Sequence, residues 1–265
     1  MTVRGRPVDS GLGRPARRAR FAARELQRRL RRGPPSELPD DASLSLDMAA
    51  DSRTLLVAFG GMRGARIGTP AFEFSAATEA LPVKRLFVRD LRQAWYHRGI
   101  PEYGSDFASV ADGLRGIVDQ HRVERLVTAG NSAGGYAALA FGALLGAHSV
   151  LAFAPQTVLD LDVLAEIGDH RWDAQLLPLV SEGSLDTGWS DLRTAIPLAG
   201  NGSTRYRVFV DLGLAVDLRH VERLAGLADL TVYRFGRGGH GLVRALREAG
   251  ALERLLRQAL DVADR

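Results

Sequence analysis

The chain of 265 residues contains no cysteine, which excludes a disulfide scaffold, thiolate metal ligation and a cysteine nucleophile. It contains no G-x-x-x-x-G-K-S, and the glycines around residues 130–135 do not form a G-x-G-x-x-G, so the glycine-rich phosphate cradles of nucleotide-binding folds are not expected there. Neither H-x-x-x-H nor H-E-x-x-H occurs and the six histidines are scattered, so neither a metal site nor a bound cofactor is expected. There is no internal repeat and no low-complexity tract after residue 40. What remains, 46% hydrophobic and 25% charged residues, is the composition of a globular protein, and the length fits one large α/β domain or at most two small ones.

The charge is unevenly placed. Residues 1–32 carry eleven arginines against Asp9 and Glu25, whereas the rest of the chain is mildly acidic. The sequence pI near 9.9 therefore describes a basic arm on an acidic body, and specific nucleic-acid binding is not expected from it. Within the arm (residues 1–40), Ala16, Ala19, Ala22, Ala23, Leu26 and Leu30 fall at helical spacing, and Gly33-Pro34-Pro35 ends the pattern. Such an arm suits an anionic surface, or serves as a solvated leader. No apolar run follows the arginines, so a secretory signal is not expected; the expected location is cytoplasmic, peripheral to a membrane if the arm engages one.

From about Ser43 strands and helices alternate. Apolar runs at Thr54–Phe59, Arg85–Val88, Arg125–Thr128, Ser149–Phe153, Arg207–Val210 and Leu230–Arg234 each end in glycine, proline or a polar residue, and Phe107–Val118 has helical spacing. This predicts a mainly parallel sheet covered on both faces, with function at the carboxyl ends of its strands. Gly134–Pro155 carries no charge over 22 residues, long enough for a membrane span by length alone. The turn at Gly146-Ala147-His148 instead divides it into a buried small-residue helix and a central strand. Residues 157–204, with weaker periodicity and with Trp172 and Trp189, are expected to form an insertion or lid within a domain spanning 43–262.

Gly130-Asn131-Ser132-Ala133-Gly134 matches G-x-S-x-G with a strand before and a helix after it. In that setting Ser132 sits on a strained turn at the positive end of a helix, and the Ala133 N–H becomes one donor of an oxyanion hole. The second donor is expected from the glycine-rich loop after Phe59, at Gly61 or Met62. A serine nucleophile needs a base, and the base needs an orienting carboxylate. Only His240 lies in a glycine-rich loop beyond the last strand, which makes it the candidate base. Two carboxylates compete for the third position. Asp211 directly follows a strand and is preferred; Asp217 is the alternative, and its plainer role is to cap a helix over 218–227. Arg89, Trp95, Tyr96, His97 and Arg98 crowd beyond another strand end, where they either bind an anionic substrate group or brace the loop.

On the strand order, GNSAGG around Ser132, the Asp211/Asp217 region and GGHG around His240, the chain resembles the α/β-hydrolase superfamily over roughly residues 43–262. That resemblance implies an eight-stranded sheet and a triad of Ser132, Asp211 and His240. More narrowly, AFGGM, FVRDL, WYHRG, GNSAGGYAAL and FAPQT are similar to a bacterial subgroup found beside polysaccharide and capsule genes, some of whose members are O-acetyltransferases. Gly60-Gly61-Met62 stands where lipases carry His-Gly-Gly-Gly, which speaks against a lipase.

The functions to be weighed are a serine hydrolase acting on a small ester, thioester or acylated glycan, an acyltransferase using acetyl-CoA as co-substrate and a glycan hydroxyl as acceptor, and a non-catalytic scaffold. For the first two, activity is expected to rise with pH as the base becomes neutral.

Overall fold

The computed structural model of the chain describes residues 42–62, 72–200 and 202–263; the basic arm lies outside them. Seven strands form one sheet: β1 (Leu44–Asp47), β2 (Thr54–Phe59), β3 (Lys84–Val88), β4 (Arg125–Asn131), β5 (Ser149–Phe153), β6 (Arg205–Asp211) and β7 (Leu230–Phe235). Their spatial order is β1-β3-β2-β4-β5-β6-β7, with β1 antiparallel to β3 and every other neighbouring pair parallel. The sheet thus has, among the described residues, one strand fewer than the resemblance implied. Its antiparallel edge is the four-residue LSLD, too short to give a periodic signal in the sequence.

Why the inner strands are continuous apolar runs follows from what lies on either side. Along β2, Leu55, Val57 and Phe59 enter one core cluster, and Leu56 and Ala58 the other. A strand buried on both faces has no polar face to show, so the two-residue alternation is one of direction and not of polarity. The first cluster lies under α2 (Phe107–Gln120) and α3 (Ala133–Leu144), the second under α8 (Leu242–Glu248) and α9 (Ala251–Leu260).

Helix α2 starts where Asp106 accepts a hydrogen bond from the Ser109 N–H at 2.7 Å, a capping interaction. Helix α3 is buried from Ala133 to Ala143, and Phe141 stacks between Phe59 and Phe107 at centroid distances of 5.4 and 4.4 Å. The uncharged stretch is therefore α3 followed by β5, and no helix among the described residues is long and apolar enough to cross a membrane.

Between β5 and β6 lie α4 (Leu161–Glu166), α5 (Asp173–Ser181), a 3-10 turn at Thr187–Trp189 and α6 (Leu192–Ala199). Leu164, Leu176, Leu179, Leu192 and Ile196 join this segment to the first core cluster, while Leu177, Val180 and Leu198 face solvent. After β6 comes α7 (Ala215–Glu222), which starts three residues before the predicted Leu218. A short α1 (Ser75–Thr78) precedes β3.

Candidate active site

Strand β4 and helix α3 meet at Ser132, whose backbone stands at φ 57°, ψ −121°. A non-glycine residue held there stores about 1–3 kcal/mol of strain. Two close approaches make the turn this sharp. A Cβ on residue 130 would lie 1.9 Å from the Gly134 carbonyl oxygen, and one on residue 134 would lie 2.3 Å from the Phe59 carbonyl oxygen. Neither position has room for a side chain. The Ser132 N–H donates to the Phe153 carbonyl at 2.9 Å, and the Ser132 carbonyl accepts from the Tyr136 N–H at 3.0 Å. The hydroxyl is thereby presented above the carboxyl ends of the strands, at the amino end of α3.

His240 occupies a 3-10 turn, Gly239–Gly241, between β7 and α8. Its Nε2 lies 2.9 Å from Ser132 Oγ and its Nδ1 lies 2.7 Å from Asp217 Oδ2. With Nδ1–H donated to the carboxylate, the Nε2 lone pair faces the serine hydroxyl.

The carboxylate at the imidazole is Asp217, in the first turn of α7 and 1% exposed; the preference for Asp211 is corrected. Asp211 is engaged elsewhere. Its Oδ1 accepts from the Gly213 N–H at 2.7 Å and its Oδ2 from the Gly239 N–H at 3.0 Å, so it ties the end of β6 to the histidine turn from below. The early start of α7 removes the capping role foreseen for Asp217, because Leu214 holds the N-cap position.

A third residue reaches Asp217 from the segment between β5 and β6. Arg171 donates from one terminal nitrogen to Asp217 Oδ1 at 2.9 Å, and from Nε and the other terminal nitrogen to both oxygens of Asp169 at 2.8 Å. Asp169 also meets His220 Nε2 at 2.9 Å. The Thr157 N–H donates to His220 Nδ1 at 3.2 Å, which makes Nδ1 an acceptor and places the proton on Nε2, facing Asp169. Burial by itself raises the Asp169 carboxyl, but the Arg171 guanidinium and His220 together outweigh it and hold Asp169 well below the usual carboxylate range.

On the opposite side of Ser132, the Gly61 N–H donates to Glu73 Oε2 at 3.3 Å, and the Asn131 side chain also bonds Glu73. Burial pushes the Glu73 carboxyl up, against the opposing pull of Gly61, Asn131, His240 and Arg247. A carboxyl raised on folding contributes stability that is complete below its unfolded pKa and is lost as pH rises through its folded value. Glu73→Gln is therefore expected to melt higher than the parent at pH 8, with the gap narrowing toward pH 4; paired thermal melts across that range check it. Ala133 heads α3 and the Met62 side chain packs on the first core cluster. Of the three proposed oxyanion donors, Gly61 thus carries an intramolecular carboxylate in this state. Glu73 follows Phe72 in a stretch with no motif, and nothing in the sequence singles it out.

The cluster beyond β3 is an internal brace, and the substrate-binding reading of it is corrected. Trp95, Tyr96 and His97 are buried, and their polar atoms are spent inside the protein. Trp95 Nε1 donates to Gln156 Oε1 at 2.6 Å, and Tyr96 Oη donates within reach of the Gly60 and Val88 carbonyls at 3.0 and 3.1 Å. His97 accepts the Asp186 N–H at Nδ1 (3.0 Å) and faces Tyr136 Oη through Nε2 (2.8 Å), while Tyr136 donates to the Trp189 carbonyl at 2.7 Å. Burial lowers the His97 pKa to about 3, so this ring is neutral and structural near neutral pH. Arg89 donates to the Ala42 carbonyl at 2.9 Å and lies 5.1 Å over the Phe72 ring. Arg98 pairs with Glu182, which caps the carboxyl end of α5, at 2.5 Å. These contacts pin the front loop to the sheet and to the segment after β5.

The sheet order, the serine at the strand-to-helix turn after β4 and the histidine turn after β7 define an α/β-hydrolase fold. Solved structures share that shape at low identity. A capsule O-acetyltransferase of Neisseria meningitidis serogroup A superposes with a TM-score of 0.59 at 13% identity, over 81% of this chain and 90% of its own. A putative esterase from Staphylococcus aureus gives 0.53 at 15%, over 97% and 96%. Est1E from Butyrivibrio proteoclasticus gives 0.52 at 12%, over 81% and 92%. No protein-family model and no curated protein matches the sequence.

Proposed function

We propose that the chain is a serine enzyme of acyl transfer that cleaves an ester or thioester through an acyl-Ser132 intermediate. The observation that carries this is the unbroken relay from Ser132 Oγ through His240 to Asp217, at 2.9 and 2.7 Å, on the strained turn at the head of α3. In the first half-reaction Ser132 Oγ attacks the carbonyl carbon and its proton passes to His240 Nε2. The negative charge on the carbonyl oxygen develops beside the Ala133 N–H, with Gly61 or Met62 as second donor; the Gly61 N–H donates to Glu73 here and can serve only when that carboxylate is displaced. Collapse of the tetrahedral species breaks the bond to the leaving oxygen or sulfur, which takes the proton from His240. Water then attacks the acyl carbon, gives its proton to His240, and the carboxylic acid departs as Ser132 recovers its hydrogen.

A second reading has a sugar hydroxyl intercept the same acyl-enzyme, with acetyl-CoA as donor. The likeness of shape to a capsule O-acetyltransferase supports considering it, and the triad serves both outcomes equally. Mass spectrometry after brief exposure to an activated acetate ester tests the shared step. An acetyl group on the peptide containing Ser132 is expected; acetylation confined to other residues would overturn the proposal. Acetyl-CoA consumed only when a glycan acceptor is present would select transfer over hydrolysis.

A further inference from the structure

Resting on that reading, we infer that Arg171 is a positioning residue of the relay: by bridging Asp217 to Asp169 it fixes the carboxylate that faces His240 and offsets part of its charge. The geometry is specific to a guanidinium. Three of its nitrogens reach three oxygens on two carboxylates at 2.8–2.9 Å, a fork that a lysine ammonium cannot reproduce. The bridge takes Asp217 Oδ1 and leaves Oδ2 for the imidazole. It is itself anchored, because Asp169 is held on its other side by His220, which sits one turn along α7 from Asp217 and is fixed in turn by Thr157. Two residues of one helix are thus tied through a loop preceding α5, and Asp217 has little freedom to rotate away.

The charge matters as much as the shape. A lone buried carboxylate beside His240 would favour the imidazolium and keep the base protonated to higher pH. Arg171, adjacent to that carboxylate and two-thirds covered, opposes this. The other charged groups around the imidazole are Asp211 below the turn, Glu73 across Ser132, Asp169 beyond Arg171, Arg247 on α8 near Glu73, and the exposed Arg237 on the histidine loop itself. None of them bonds Asp217 among the described contacts, so Arg171 is the cation that acts on it directly.

The test compares Arg171→Met and Arg171→Lys with the parent in the full chain, reading the pH at which the His240 ring signals titrate by NMR, with no substrate present. Arg171→Met is expected to move that midpoint up by about half a pH unit, the size of one partly screened charge at this range. Arg171→Lys keeps the charge and is expected to leave the midpoint near the parent's. In turnover, both are expected to lower kcat while KM stays within twofold, since Arg171 touches no reacting atom. A midpoint unmoved or lowered in Arg171→Met, with the fold intact by circular dichroism, would overturn the inference and leave acyl-Ser132 chemistry standing. Absence of acetylation at Ser132 in the parent would overturn the enzymatic reading, while the NMR shift would still report whether Arg171 governs the Asp217–His240 pair. Should Arg171→Met fail to fold, Asp169→Asn, which loosens Arg171 without removing its charge, is expected to lower kcat with a midpoint shift smaller than half of that predicted for Arg171→Met; no loss of kcat there would refute the bridge.

Discussion

Ser132→Ala is expected to reduce turnover of an activated ester by about 10⁴–10⁶-fold while leaving the protein folded. Two features make the loss this large. Without the hydroxyl no covalent intermediate forms, so the imidazole loses the nucleophile held at 2.9 Å and only direct attack by water remains. The surroundings also offer no substitute nucleophile, since the chain has no cysteine and the neighbouring positions are Asn131 and Ala133. Stability should move little, because the Ser132 backbone bonds to Phe153 and Tyr136 are retained and the alanine inherits the same strained φ. Steady-state kinetics beside a thermal melt make the measurement. A variant within tenfold of the parent would place the chemistry elsewhere in the molecule.

Asp217→Asn and Asp211→Asn are expected to part company. Replacing Asp217 should cost about 10⁴-fold in kcat, as an amide at that place favours the wrong imidazole tautomer and no longer stabilises the imidazolium. Its carbonyl can still accept from Arg171, so the fold should survive. Replacing Asp211 acts on the architecture. Its two oxygens hold the N–H groups of Gly213 and Gly239, and an asparagine can accept only one of them, which turns an amide nitrogen on the other, a partly buried donor, and costs about 0.5–1.5 kcal/mol. The expected result is a lower melting temperature and a modest drop in rate. The reverse ordering, with Asp211→Asn the slower enzyme and Asp217→Asn merely less stable, would return the carboxylate role to Asp211.

That pair also shows where sequence reasoning ends. The serine turn is legible because its causes are local: a strand, two positions with no room for a Cβ, and a small-residue helix lie within about fifteen residues. His240 is legible for a similar reason, as the one histidine in a glycine-rich loop after the last strand. The choice between two aspartates six residues apart depends on where α7 begins, and helix boundaries are poorly marked when the N-cap is a leucine with no capping side chain. Trp95, Tyr96 and His97 have polar tips that suggested a binding surface. Their partners, Gln156, Tyr136 and the backbone at Asp186, lie tens of residues away, and such pairings leave no trace in spacing. Arg171 and Glu73 were silent on the same ground. The sheet was largely readable because strands buried on both faces announce themselves as unbroken apolar runs, whereas the short antiparallel edge did not.

The segment between β5 and β6 links two parallel strands and reads in the sequence as an insertion, the kind of connection that tolerates exchange. Here it is tied to Asp217, the carboxylate at the His240 imidazole, through one guanidinium, and to the front loop through the Arg98–Glu182 pair and the Asp186–His97 contact. If the proposed chemistry holds, transplanting a foreign module between Pro155 and Arg205 is expected to change its rate along with the choice of substrate, unless those three ties are preserved or rebuilt.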